Sequence, residues 1–108
     1  MHTDSGNDPL QTKKNILKQL QTYNLEIPST FQEVFDHHLD ILIYRMENNE
    51  CTNYQDDAVE SQVDAEDLQI ARNILLPLFE KYQIHENRME EVLLAIYIKL
   101  AKGEKTNE

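Results

Sequence analysis

The sequence predicts an all-α fold, a compact five-helix bundle, on three observations. Only two glycines and three prolines occur in 108 residues, too few turn formers for the many reversals of an all-β domain. Hydrophobic residues make up 40% of a chain of one domain's length, enough for one folded core. They recur in several segments at spacings of three and four, the helical period.

The elements follow in order. Residues 1–7 are polar and unpatterned and read as a disordered tail. A single helical domain is expected over 8–102, followed by a second polar disordered tail over 103–108. Asp8-Pro9 suits the N-cap and first position of a helix, and Leu10, Ile16, Leu17 and Leu20 give it a stripe to about Tyr23. Ile27 precedes Pro28 and is biased to extended backbone, which breaks the pattern. Thr30-Phe31-Gln32-Glu33 fits a capping box, opening a helix from Phe31 to about Glu47. The stretch 47–67 holds eight acidic residues and no basic one. A structureless loop of that length is uncommon in a compact domain, so a short helix is placed near Asp56 to Gln62, capped by Asp56 or Asn53. The acidic run Asp64-Ala65-Glu66-Asp67 suits a helix N-terminus. That fourth helix carries Leu68, Ala71, Ile74, Leu75, Leu78 and Tyr82, and Pro77 inside it should kink it or end it early. Asn87-Arg88-Met89-Glu90 is a second capping-box-like start. The last helix runs from there to about Lys102, with Gly103 as its C-terminal cap.

Charge and composition exclude several functions. Ten basic against twenty acidic residues leave a net charge of −10, which repels phosphate backbones and anionic lipid. No direct nucleic acid and no membrane partner is therefore expected. No apolar run approaches a membrane span, and the first residues lack the basic and apolar regions of a signal peptide. Cys51 stands alone, so neither an intramolecular disulfide nor a cysteine zinc site is available and a reducing compartment is the default. The reading is a soluble cytoplasmic acidic domain. Gly6 and Gly103 have no second glycine at nucleotide-binding spacing. His37-His38 is not metal spacing, because adjacent residues diverge by ~100° on a helix and no His follows at i+4. Ser29 and Ser61 have no cue for an activated nucleophile, and the acidic surroundings of Cys51 raise rather than lower a thiol pKa. The chain is read as a non-enzyme with no cofactor, no metal and no catalytic residue. The −10 charge suits a partner with a basic surface, and equally serves solubility.

Certain polar residues fall on apolar faces. On a wheel of ~100° per residue, Phe31, Val34, Phe35, Leu39, Ile41, Leu42, Ile43 and Met46 form one broad arc, with His38 and Arg45 inside it and His37 at its edge. In the last helix Met89, Val92, Leu93, Leu94, Ile96, Ile98, Leu100 and Ala101 form the arc; Glu90 and Tyr97 lie within it, while Glu91, Lys99 and Lys102 face away. Buried charges are costly unless paired, so Arg45 and Glu90 are each other's best candidates. Arg45 follows His38 by seven residues and Tyr97 follows Glu90 by seven, two helical turns in each case. Antiparallel packing then places His38 opposite Tyr97 and Arg45 opposite Glu90 in one register. A lone His on an apolar face is more often a core histidine than a functional one. His2 and His85 read as ordinary surface residues.

The run His38-Leu39-Asp40-Ile41-Leu42-Ile43-Tyr44-Arg45 resembles the signature of the PTS regulation domain (PRD), a helical module of sugar-operon antiterminators and activators. Leu25-Glu26-Ile27-Pro28 is similar to that family's lead-in, Ala65-Glu66-Asp67-Leu68-Gln69-Ile70-Ala71 to its fourth helix, and Glu90 through Ala101 to its final helix. The resemblance covers roughly residues 10–102 and implies five helices of the PRD type, the second and fifth antiparallel. It implies His38 as phosphoacceptor, with His37 as the alternative and Arg45, Glu90 and Tyr97 in support. The donor would be HPr or a sugar-transporter phosphocarrier subunit, the output a transcription regulator, and the family precedent implies a homodimer. A phosphate on His38 adds roughly −2 charge. Arg45, two turns away, is assigned first to Glu90, and Tyr97 could donate its hydroxyl to the imidazole. Two departures stand out: Tyr97 occupies the second acceptor position, and neither an effector domain nor a second copy is present, as in a stand-alone module. Competing readings are a binding module of the same fold without phosphotransfer, a small helical enzyme, and a two-component histidine phosphotransfer domain, whose usual Lys-Gly after the His is here Leu39-Asp40-Ile41.

Overall fold

The computed structural model describes residues 9–50 and 57–106, with side chains through residue 102. Among these residues there are five helices and no strand: α1 (Pro9–Thr22), α2 (Ser29–Glu47), α3 (Asp57–Glu60), α4 (Ala65–Lys81) and α5 (Arg88–Thr106). The all-α expectation holds, with five elements in the expected order. The tail over 1–7, Asp8, Asp56 and Asn53 as caps, and Cys51 lie outside the described residues.

Three helices end the same way, in a residue with left-handed backbone: Asn24 (φ 61°), Asn49 (φ 55°) and Gln83 (φ 58°). After α1, the Leu25 N–H bonds the Leu20 carbonyl at 2.9 Å; after α4, the Ile84 N–H bonds the Phe79 carbonyl at 2.9 Å. These six-residue closures satisfy carbonyls that a helix end leaves open, and they turn an apolar residue back onto the bundle. Buried Leu25 and half-buried Ile84 fill that place here.

Helix starts depart from the sequence reading in one case. α2 begins at Ser29, its N-cap is Pro28 (φ −55°, ψ 144°), and no side chain caps it. The Thr30–Glu33 capping box therefore does not form. Proline fixes the backbone two residues earlier than a threonine cap requires, and Gln32 donates its side-chain amide to the Ile27 carbonyl at 3.1 Å. At α5 the cap is as predicted: the Asn87 side-chain oxygen accepts the Glu90 N–H at 2.9 Å.

One helix keeps its full length across a proline and another runs further than predicted. Pro77 sits inside α4 without ending it. Its ring and Asn73, whose carbonyl loses its usual donor, are both exposed, so water can take that acceptor. α5 passes through Gly103 to Thr106, so residues 103–106, expected in the tail, are helical. A glycine inside a helix costs about 1 kcal/mol against alanine, which the packing of the preceding turns outweighs.

The core lies between α1, α2, α4 and α5. Ile16, Leu20, Phe35, Leu39, Leu42, Met46, Leu75, Leu78, Leu94 and Ile98 are buried in one cluster. Lys13 ties α1 to α2 through Asp36 at 2.9 Å and Asp40 at 2.8 Å. Lys102 ties the end of α5 to the start of α4 through Asp67 at 2.8 Å, so these helices form an antiparallel hairpin and Lys102 does not simply face away. Leu10 and Leu17, assigned to the α1 stripe, are exposed, while Thr12 is buried in their place, its hydroxyl taking Lys81 Nζ at 2.8 Å.

Candidate functional site

The α2–α5 seam carries the polar residues that the wheel placed on apolar faces. Arg45 donates from Nε to Glu90 Oε2 at 3.0 Å and from Nη2 to Glu90 Oε1 at 3.1 Å. The Glu90 side chain is 0% exposed and that of Arg45 24%. A bidentate guanidinium–carboxylate pair is the form in which a buried charge is tolerated. The Asn87 cap holds the Glu90 backbone at the third position of α5, which aims its carboxylate across the seam.

Two turns away the register closes on rings. His38 and Tyr97 have centroids 5.4 Å apart, tilted by 41°, and Tyr97 also meets Phe35 at 4.8 Å. The residue order 38 to 45 against 97 to 90 makes α2 and α5 antiparallel, as the spacing predicts. The predicted Tyr97 hydroxyl bond to the imidazole is absent. The two residues pack by their rings, and His38 Nε2 is buried without a hydrogen-bond partner. Burial pushes the His38 imidazole below its ordinary 6.5; the Glu90 charge opposes that shift and the Arg45 charge adds to it. Burial likewise raises the Tyr97 phenol. At neutral pH this site holds an uncharged, half-buried imidazole within the field of a fixed ion pair.

The broad apolar arc of α2 is divided in two by the fold. Phe35, Leu39, Leu42, Ile43 and Met46 are buried, but Phe31, Val34, Ile41 and Tyr44 are exposed, Val34 at 56% and Tyr44 at 59%. On the helix this exposed stripe encloses His37, itself exposed, and borders His38 and Arg45. A single exposed apolar residue is ordinary; here four share one helix face.

An open groove of about 970 Å³ lies elsewhere, floored by Leu17, Leu20, Leu25, Ile27 and Phe35 between α1 and α2. It includes none of His38, Arg45, Glu90 or Tyr97, so the seam chemistry does not open into it. Among the described residues no group of three or more His, Cys, Asp or Glu side chains could hold a metal ion, and no helix is long and apolar enough to cross a membrane.

Sequence reasoning missed Glu91. The wheel turns it outward, yet it is 0% exposed. Its neighbours are Glu86 in the turn before α5, Arg72 on α4, and Arg88. These come from other segments, which a single-helix projection cannot show. No family model, curated protein or solved structure matches the chain.

Proposed function

We propose that the domain is a regulatory phosphoacceptor of the sugar phosphotransferase system. His38 receives a phosphoryl group from HPr or a sugar-transporter subunit in the cytoplasm and modulates transcription through a partner protein. The observation that carries this reading is the placement of one neutral imidazole at the border between a buried Arg45–Glu90 pair and an exposed apolar stripe. A neutral imidazole has the lone pair a phosphoryl acceptor needs. Nε2 is sealed, so the acceptor in this reading is Nδ1, with the ring proton on Nε2. The donor's P–N bond breaks as the bond to Nδ1 forms. The donor histidine leaves as neutral imidazole, and His38 becomes the phosphoimidazolium, with no net proton exchange. The phosphoryl oxygens, roughly −2 beside a ring now at +1, then compete with Glu90 for Arg45, and that competition is the signal passed to α5. Phe31, Val34, Ile41 and Tyr44 supply the apolar contact on which a carrier docks.

A second reading is an interaction module of the same fold that has lost phosphotransfer. Tyr97 at the second acceptor position and the sealed Nε2 favour it. Incubation with labelled phosphoenolpyruvate, enzyme I and HPr or a transporter subunit separates the two. The first reading expects acid-labile label that disappears in His38→Ala. No label on folded protein from any of these donors rejects it in favour of the second.

A further inference from the structure

Three acidic side chains are buried among the described residues: Asp67, Glu90 and Glu91. Asp67 has Lys102 and Glu90 has Arg45, but neither oxygen of Glu91 has a donor. A carboxylate that is both buried and unpaired is among the costliest groups a fold can hold, and it avoids the cost by keeping its proton. The group within hydrogen-bond reach is the carboxyl of Glu86. Two carboxylates are both acceptors, so one of the pair must bring a hydrogen. Glu86 is exposed and accepts Arg72 Nε at 2.8 Å, which fixes it as the ionised member. Glu91 is therefore the donor.

We infer that Glu91 is a proton-operated latch: as a neutral acid it donates to the Glu86 carboxylate and, through Arg72, fastens the 82–87 turn and α4 to the start of α5; without the proton it repels Glu86 and frees the turn. The charged groups around it come from every neighbouring element. Arg72 is on α4, Glu86 in the turn and Arg88 on α5, and Arg88 is engaged by Glu60 of α3 at 2.6 Å. Both arginines thus have other carboxylates to serve. Their positive charge also makes the cluster unsuited to a cation.

Burial first, and then Glu86, hold the Glu91 acid up to about 8, while the Glu91 hydrogen bond and Arg72 hold Glu86 below the ordinary carboxylate value. The unfolded chain releases the Glu91 proton near 4.5. Between those two values the folded state binds more protons than the unfolded one. The Glu91 contribution to stability therefore falls as pH rises through that window, by up to about tenfold in the folding constant per pH unit, and levels off above the folded value.

The test is urea unfolding from about pH 5 to 9 for the native sequence and Glu91→Gln, whose amide keeps the donor and cannot ionise. The latch predicts that Glu91→Gln removes close to one proton from the slope of stability against pH; an unchanged slope overturns it. Should that variant not fold, carbon NMR titration of the unsubstituted protein decides. One glutamate carboxyl must titrate far above the others and move down in Glu86→Gln; a full set of ordinary glutamate midpoints overturns the latch.

Discussion

Replacing Arg45 by methionine removes the charge that makes a buried Glu90 tolerable and keeps most of the side chain's length. The Glu90 carboxylate is 0% exposed and receives two guanidinium bonds, at 3.0 and 3.1 Å. Breaking one partner of such a pair costs about 3–5 kcal/mol, because the other is left as an uncompensated charge. Arg45 is 24% exposed, so water reaches part of the vacated space and the lower end, about 3 kcal/mol, is expected. A domain holds only about 5–15 kcal/mol in total. With a urea dependence of roughly 1–3 kcal/mol per molar, the unfolding midpoint should drop by on the order of 1–3 M. The decisive comparison is Arg45→Met with Glu90→Leu, which leaves neither charge and fills the seam with apolar atoms. Its stability should return to within about 1 kcal/mol of the native protein. A single-variant loss below about 1 kcal/mol, or losses that simply add in the double variant, would refute the reasoning that this pair sets the α2–α5 register.

Other consequences concern separate parts of the molecule. Because burial lowers the His38 imidazole, the native state binds its proton less readily than the unfolded chain. The His38 contribution to stability should fall as pH drops from about 6.5 through the folded value, opposite in sign to that of Glu91, and a His38 proton-NMR midpoint at or above 6.5 contradicts this. Asn87→Ala removes the oxygen that accepts the Glu90 N–H and should cost about 1 kcal/mol in thermal unfolding. Leu39→Ala opens a cavity at a fully buried position and should cost about 2–5 kcal/mol by the same assay. Val34→Ser with Ile41→Ser alters exposed residues and should change stability by only about 0.5 kcal/mol per site. The same pair should sharply slow phosphoryl transfer to His38; an unchanged transfer rate removes the stripe from the docking surface.

The antiparallel seam was legible because a buried charge needs a partner and two spacings of seven agreed on one. The α5 cap was legible for a related reason: Asn87 stands three residues before a helix position whose N–H needs an acceptor. The rest depended on what surrounds each helix. Periodicity marks Val34, Ile41 and Tyr44 as apolar, but not that the described residues leave them exposed. It turned Glu91 outward, because the turn holding Glu86 and the α4 residue Arg72 fold over it from elsewhere. Gly103 and Pro77 are strong local punctuation, yet both lie inside helices, since tertiary packing outweighs a local penalty of about 1–3 kcal/mol. The helix ends use Asn24, Asn49 and Gln83; only the asparagines are residue types enriched at such positions.

The central claim is that His38 carries phosphate. After incubation with phosphoenolpyruvate, enzyme I and HPr or a transporter subunit, phosphorus NMR of the folded protein tests it most directly. The account predicts one phosphohistidine signal, on Nδ1, that persists in His37→Ala and vanishes in a folded His38→Ala. A signal that survives His38→Ala, or a spectrum without phosphohistidine from all of these donors, contradicts it.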